Sequence, residues 1–136
     1  MVRVELARII IDEKNHDQAV VLKEKDGARQ IPIMIGFVEA TGIQMKIGGV
    51  EPPRPLTHDL LVELLKSLDV EVQYVLIDDL VDGTYFAKIH LKTSQNEIII
   101  LDCRPSDGIA IAIRLKTLIY VDEEVFQKAL TSSDGA

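Results

Sequence analysis

The chain has 136 residues, 47% hydrophobic and 27% charged, with 8 Gly and 5 Pro, proportions that fit one compact domain and exclude a disordered or collagen-like chain. Lys and Arg total 15 against 22 Asp and Glu, leaving a net charge of −7, so no general basic field draws the protein onto nucleic acid or anionic lipid. The lone Cys103 has no partner for a disulfide, the N-terminus lacks a signal-peptide layout, and no apolar run approaches the ~20 residues of a membrane span, which together predict a cytoplasmic protein.

Short β-branched blocks bounded by turn residues predict strands over 2–12, 18–24 and 30–35. Lys25-Asp26-Gly27 supplies a hairpin turn between the second and third, with Gly27 available for positive φ. Residues 37–47 are predicted helical by their place in the repeat described below. The segment GGVEPPRP at 48–55 holds three of the five prolines and reads as a stiff extended connection. Over 57–68, Leu60, Leu61, Leu64, Leu65 and Leu68 form one apolar stripe of an amphipathic helix, with Thr57 as its N-cap. Further strands are predicted over 70–78, 84–92 and 97–102, the first two joined by an Asp82-Gly83 hairpin turn. At 105–116 the alternation of Ile109, Ile111 and Ile113 has the period of a strand, but Pro105 at a first helical position and Asp107 in the first turn favour a buried helix. A short strand over 118–121, a helix over 122–130 and a frayed tail, TSSDGA at 131–136, complete the chain.

The segment VELARIIID at 4–12 aligns with VEVQYVLID at 70–78, an offset of 66 residues. In that register Ile33 and Ile35 fall on Ile99 and Leu101, and residues 42–47 fall on 108–113. The pattern predicts an α+β fold built from two pseudo-duplicated three-strands-then-helix units, about 2–47 and 70–115, forming a mostly antiparallel sheet packed with helices in a single domain over 1–130.

No dinucleotide-binding glycine motif, P-loop, zinc-protease or serine-hydrolase signature is present. Polar residues gather instead at Glu39, at Arg54 to Asp59 and at Asp102 to Asp107, and the repeat places the first and third groups at equivalent strand-to-helix junctions. In Asp102-Cys103-Arg104-Pro105-Ser106-Asp107, a helix N-terminus with Arg104 and the Ser106 hydroxyl can hold a phosphate, while Asp102 and Asp107 can hold a hard cation. The plainer alternative is that Ser106 and Asp107 cap the helix and Arg104 pairs with Asp102. In Arg54-Pro55-Leu56-Thr57-His58-Asp59, Arg54 can bind phosphate, His58 can exchange protons and Asp59 can orient the histidine or bind metal, against a simple N-cap with a first-turn acid. Glu39 alone reads as a solvated helix residue or a further ligand; His16 and His90 read as turn and strand-surface residues, and Cys103 as a small buried apolar group.

These same residues carry a resemblance. The stretches IPIMIGFVEATGI (31–43), GVEPPRPLTHDLLVELLKSL (49–68), VLIDDLVDGTYFAKIHL (75–91), LDCRPSDGIAIAIRL (101–115) and IYVDEEVF (119–126) together resemble the bifunctional nuclease family over nearly the whole chain. Gly42, Gly108 and Cys103 stand where relatives commonly carry Ala, and Met34 where many carry Trp, changes that touch packing and leave the polar set intact. The resemblance implies a compact α+β domain that cleaves DNA and RNA. It marks Glu39, Arg54, Thr57, His58, Asp59, Asp102, Arg104, Ser106 and Asp107 as the functional set.

Two functions are compatible with this reading. The leading expectation is a metal-assisted phosphodiesterase on nucleic acid: Asp59, Asp102, Asp107 and Glu39 as ligands of Mg²⁺ or Mn²⁺, His58 as general base or acid, Arg54 and Arg104 neutralising the phosphate, and Ser106 beside them. With 4% aromatics and an acidic balance, neither a base-stacking platform nor a phosphate track is evident, so substrate affinity is expected to be weak. The rival is a non-enzymatic module binding an anion, ligand or partner through the same residues. The aliphatic strands IPIMI and EIIIL also predict a homo-oligomer, most simply a two-fold dimer.

Overall fold

The computed structural model describes residues 1–12, 14 and 17–131; His16 lies outside them. In chain order the elements are β1 (Val2–Asp12), β2 (Asp17–Glu24), β3 (Gln30–Ile35), α1 (Phe37–Ile47), α2 (Thr57–Ser67), β4 (Glu71–Val81), β5 (Thr84–Lys92), β6 (Ile98–Cys103), α3 (Pro105–Leu115), β7 (Leu118–Val121) and α4 (Glu123–Thr131). The three-strands-then-helix unit occurs twice, as β1-β2-β3-α1 and β4-β5-β6-α3. Each set of strands is an antiparallel meander, and both join one sheet of order β3-β2-β1-β7-β4-β5-β6. β1 and β4 do not touch as partners: β7 lies between them, antiparallel to β1 and parallel to β4. The fold is therefore α+β with a mostly antiparallel sheet.

Local chemistry explains the joints. Asp82 and Gly83 both take positive φ, 50° and 80°, which makes the two-residue turn whose twist matches a hairpin. Gly27 is not used that way, contrary to expectation, because the β2–β3 loop is closed by Glu24 and Arg29: the Glu24 N–H donates to the Arg29 carbonyl at 3.0 Å and the Arg29 N–H to Glu24 Oε1 at 3.1 Å. Arg29 also bonds Glu123 at 2.7 Å and lies 4.5 Å from the centre of the Phe126 ring, pinning α4 to that loop. The N-cap of α2 is Leu56 and not Thr57, since the carboxylate of Asp59 reaches back to the Leu56 N–H. Of the tail expected over 131–136, Thr131 ends α4 and the rest lies outside the described residues.

Alternation sorts the faces. On β5, Ala87, Ile89 and Leu91 are buried while Lys88, His90 and Lys92 stand on the open face, as in an antiparallel sheet covered on one side. Val20, Leu22, Ile31, Ile43, Val75, Ile77, Ile109, Val121 and Phe126 form the centre of a single core. The leucine stripe of α2 does not join it: Leu60, Leu61, Leu64 and Leu68 are exposed, and Val62 alone on this helix is buried. α2 packs on α3 rather than on the sheet, through a face shared by His58, Asp59, Val62 and Leu65.

Gly108 sits where α3 meets β4; a Cβ there would lie 2.5 Å from Cγ1 of the fully buried Val75. At Gly42 a Cβ would meet only Leu56 at 3.8 Å and Arg114 at 4.0 Å. Both are interior helix positions, where Ala is favoured over Gly by up to ~1 kcal/mol. Gly42→Ala is therefore expected to raise the melting temperature by about 3 °C. Gly108→Ala should lower it, because crowding stiff, buried Val75 costs about 1–3 kcal/mol and outweighs the helix gain. Thermal unfolding of the two variants checks the opposite signs.

Candidate active site at the N-termini of α2 and α3

The two helix starts are built alike. In each, the third helical residue is an aspartate that accepts a hydrogen bond from the N–H of the residue capping its own helix: Asp59 from Leu56 at 2.9 Å, Asp107 from Arg104 at 3.3 Å. The remaining oxygen of each turns to the neighbouring helix. Arg114 Nε donates to Asp59 Oδ1 at 2.7 Å, and His58 Nε2 lies 3.0 Å from Asp107 Oδ1. Arg114 is nearly fully buried, 4% exposed, and donates a second bond to the Ala110 carbonyl at 2.9 Å. His58 is 18% exposed. Pro105 starts α3 as expected, its missing N–H costing nothing at that position.

One residue from Asp107 opens a cleft of about 1160 Å³. Arg104 and Ser106 enter it from the start of α3, Glu39 from α1, Tyr85 from β5 and Lys128 from α4. β3 and the β4–β5 hairpin both line it, although three strands separate β3 from β4 in the sheet order. The Glu39 carboxylate folds back over Gly36 at the N-cap of α1, where any Cβ would collide with it. Arg104 is exposed and has no partner among the described residues, so the expected Arg104–Asp102 pair is not formed. Asp102, 77% exposed, lies 3.4 Å from Lys88, which also bonds Asp78 at 3.2 Å. Arg54 and Thr57 are exposed and do not line the cleft.

The electrostatics follow from these contacts. The Arg114 guanidinium holds the Asp59 carboxyl below its ordinary value, with the Leu56 N–H assisting and burial opposing. Burial above all, then the charges of Asp107 and Asp102, pushes the Cys103 thiol up to about 12, which leaves it protonated and inert, in line with its reading as a small apolar group. Burial disfavours the Lys88 ammonium, yet the hydrogen bonds it donates to Asp78 and Asp102, with their charges, outweigh it and raise its pKa.

As four ligands of one ion, Asp59, Asp102, Asp107 and Glu39 do not fit. Both oxygens of Asp59 are engaged, Glu39 is turned onto its own helix start, and among the described residues no three His, Cys, Asp or Glu side chains are grouped to hold a metal. Asp107 is engaged in the same way as Asp59, one oxygen accepting from the Arg104 N–H and the other against His58, which leaves the exposed Asp102 as the carboxylate open to a cation. A single carboxylate suits Mg²⁺, which usually takes one or two and fills its shell with water and substrate phosphate.

Three features escape a reading of the sequence. Arg114 is the partner that fixes Asp59, and its one signal is to be the sole basic residue of α3. Lys128 and Tyr85 reach the cleft from elements distant in sequence. Tyr74, His90 and Tyr120 gather on the open sheet face, with Tyr74 and His90 stacked at 4.2 Å and Tyr120 edge-on at 5.5 Å.

Sheet order and paired helix starts define an α+β domain whose polar residues gather where α2 meets the second structural repeat. A sequence model of the bifunctional nuclease domain matches residues 20–134, and the chain belongs to that family. It is 39% identical over 129 residues to the uncharacterized protein Rv1829 of Mycobacterium tuberculosis (strain ATCC 25618 / H37Rv), covering 95% of this chain and 76% of that one. It is 32% identical over 120 residues to bifunctional nuclease 1 of Arabidopsis thaliana and 30% identical over 128 residues to bifunctional nuclease 2 of Oryza sativa subsp. japonica. These alignments cover 86% and 92% of this chain but only 35% and 38% of the plant proteins. No helix among the described residues is long and apolar enough to cross a membrane.

Because the folded pKa of Asp59 is depressed, its pairing stabilises the protein above the ordinary aspartate value near 3.8 and is lost as pH falls through the lower folded value. Urea midpoints measured from pH 7 down to 2 should fall below about pH 4 in the wild type, and Asp59→Asn should flatten that fall. Arg114→Met, which strands the carboxylate, should cost roughly 3 kcal/mol at pH 7.

Proposed function

We propose that this chain is a nuclease that hydrolyses phosphodiester bonds of DNA or RNA beside the N-termini of α2 and α3, with His58 as the proton-transferring group. The observation that carries the reading is the 3.0 Å contact between His58 Nε2 and Asp107 Oδ1, with Asp107 following Ser106, which lines a cleft that also bears Arg104, a side chain with no partner among the described residues. A carboxylate on one imidazole nitrogen fixes ring and tautomer, leaving Nδ1 to take a proton from the attacking water or give one to the leaving oxygen. Asp107 is then a positioning residue. Arg104, whose side chain has no partner among the described residues, takes the phosphate in a two-point grip, the Ser106 N–H and hydroxyl add donors, and exposed Arg54 gives a further cation beside α2. A hard divalent cation, Mg²⁺ or Mn²⁺, held by exposed Asp102 with the substrate phosphate, would supply Lewis-acid charge. The family, and plant relatives named as bifunctional nucleases, support nucleic acid as the substrate. A net charge of −7 keeps its binding weak and salt-sensitive.

A second reading has its own support: capping and bridging bonds alone account for Asp59 and Asp107, as they would in a module that merely holds an anion at Arg104. Turnover separates the two. Purified protein is given labelled single- and double-stranded DNA and RNA with Mg²⁺, Mn²⁺ or EDTA, beside His58→Ala and Asp102→Asn prepared identically. The nuclease reading expects cleavage at least ~100-fold slower in His58→Ala. It also expects loss of the metal-dependent part in Asp102→Asn at unchanged melting temperature. Equal cleavage in all three proteins, or none in the wild type with phosphate binding that depends on Arg104, contradicts it.

A further inference from the structure

The two edges of the sheet are guarded differently. On β3, Pro32 faces Val21 and removes an N–H from the free edge, a device that discourages strand addition. On β6, Ile98, Ile99, Ile100 and Leu101 run consecutively without proline or charge, and all four are exposed, at 55%, 39%, 54% and 47%. A solvated edge strand normally alternates apolar with polar residues; here Ile99 and Leu101 stand beside buried Leu91 and Ile89 on the helix-covered face, and Ile98 and Ile100 beside Lys92 and His90 on the open one. Both faces of β6 are therefore dressed to be covered along a row of unpaired backbone groups.

We propose that a second copy of this chain covers β6, the two strands pairing antiparallel about a two-fold axis at Ile100 and continuing the sheet across the interface. Charge complementarity selects this occupant and register. The protein carries −7, so two copies repel except where a surface is neutral, and the Ile98 to Leu101 stretch is neutral. With Ile100 opposite its own copy, Leu101 faces the partner's Ile99 at the apolar centre of the inner row, and Cys103 faces the partner's Glu97 at either end. On the open face Asp102 lies opposite the partner's Ile98, beside which stands the partner's Lys92, while its own Lys88 flanks it at 3.4 Å on the other side. Each acid thus sits between lysines of both copies. Slipping by one residue would turn helix-covered faces against open ones; slipping by two would either bring the partner's Glu97 inward against Leu101 or set Asp102 opposite the partner's Ile100, beside the partner's His90 and away from the partner's Lys92. The interface ends at the site described above, so the partner's Lys92 joins the surroundings of Asp102; that consequence rests on the proposed function, whereas the pairing itself does not.

Light scattering at micromolar concentration should give twice the 15.2 kDa chain mass for the wild type and the single mass for Ile100→Lys, with the circular dichroism of the two alike. In a Cys103→Ser background, Ile100→Cys should oxidise to a covalent dimer, since directly opposed residues lie within disulfide range. The cross-link decides the matter if the lysine variant does not fold. A monomeric wild type overturns the proposal. So does a dimer that survives Ile100→Lys without cross-linking through Ile100→Cys, which would place the contact elsewhere, as on the exposed leucines of α2. Mass and cross-linking read the interface whether or not the protein cleaves nucleic acid.

Discussion

Two carboxylates, each shared between the start of its own helix and a side chain of the neighbouring one, hold the second layer of this protein in place. α2 buries Val62 alone and leaves four leucines in solvent, so apolar packing by itself cannot fix it on α3. The Asp59–Arg114 and His58–Asp107 contacts do so from adjacent residues of α2, and each aspartate is itself oriented by the capping N–H it accepts. An ion pair with one buried partner tolerates little displacement, since stranding either charge is costly. The imidazole beside it inherits that rigidity, which the proposed proton-transfer role requires.

The duplication explains where the site is and why there is one. Both repeats end in a strand-to-helix junction, but only the second carries Arg-Pro-Ser-Asp at that point; in the first, Gly36 and Glu39 occupy the turn and α1 has no counterpart of the α2 clamp. β7 joins the halves into one sheet, and Glu39 of the first repeat lines the same cleft as Arg104 and Ser106 of the second.

Element boundaries were legible because local signals agreed: alternating β-branched residues, Asp82-Gly83, and Pro105 with Asp107 all favoured the structure that forms. The direction of the α2 stripe was not, since periodicity shows that leucines share a face and says nothing of what that face meets. The polar set near α2 and α3 could be picked out by residue type, but its pairing could not. Asp59 and Asp107 look equally fit as ligands in the sequence, and only the fold reveals that Arg114 takes one and His58 the other. Arg104 and Asp102 are neighbours in sequence yet do not pair, because the strand end points Asp102 to Lys88. The Tyr74, His90 and Tyr120 cluster is likewise a product of strand order, invisible in a chain with so few aromatics.

The central claim is that Asp107 fixes His58 through Nε2 and frees Nδ1 for chemistry. Nitrogen-15 NMR of the histidine ring reads this directly by assigning the neutral tautomer in the wild type and in Asp107→Asn. The account predicts a dominant Nε2–H form in the wild type that gives way to a mixture of tautomers in the variant. A dominant Nδ1–H form, or the same tautomer population in both proteins, would contradict it.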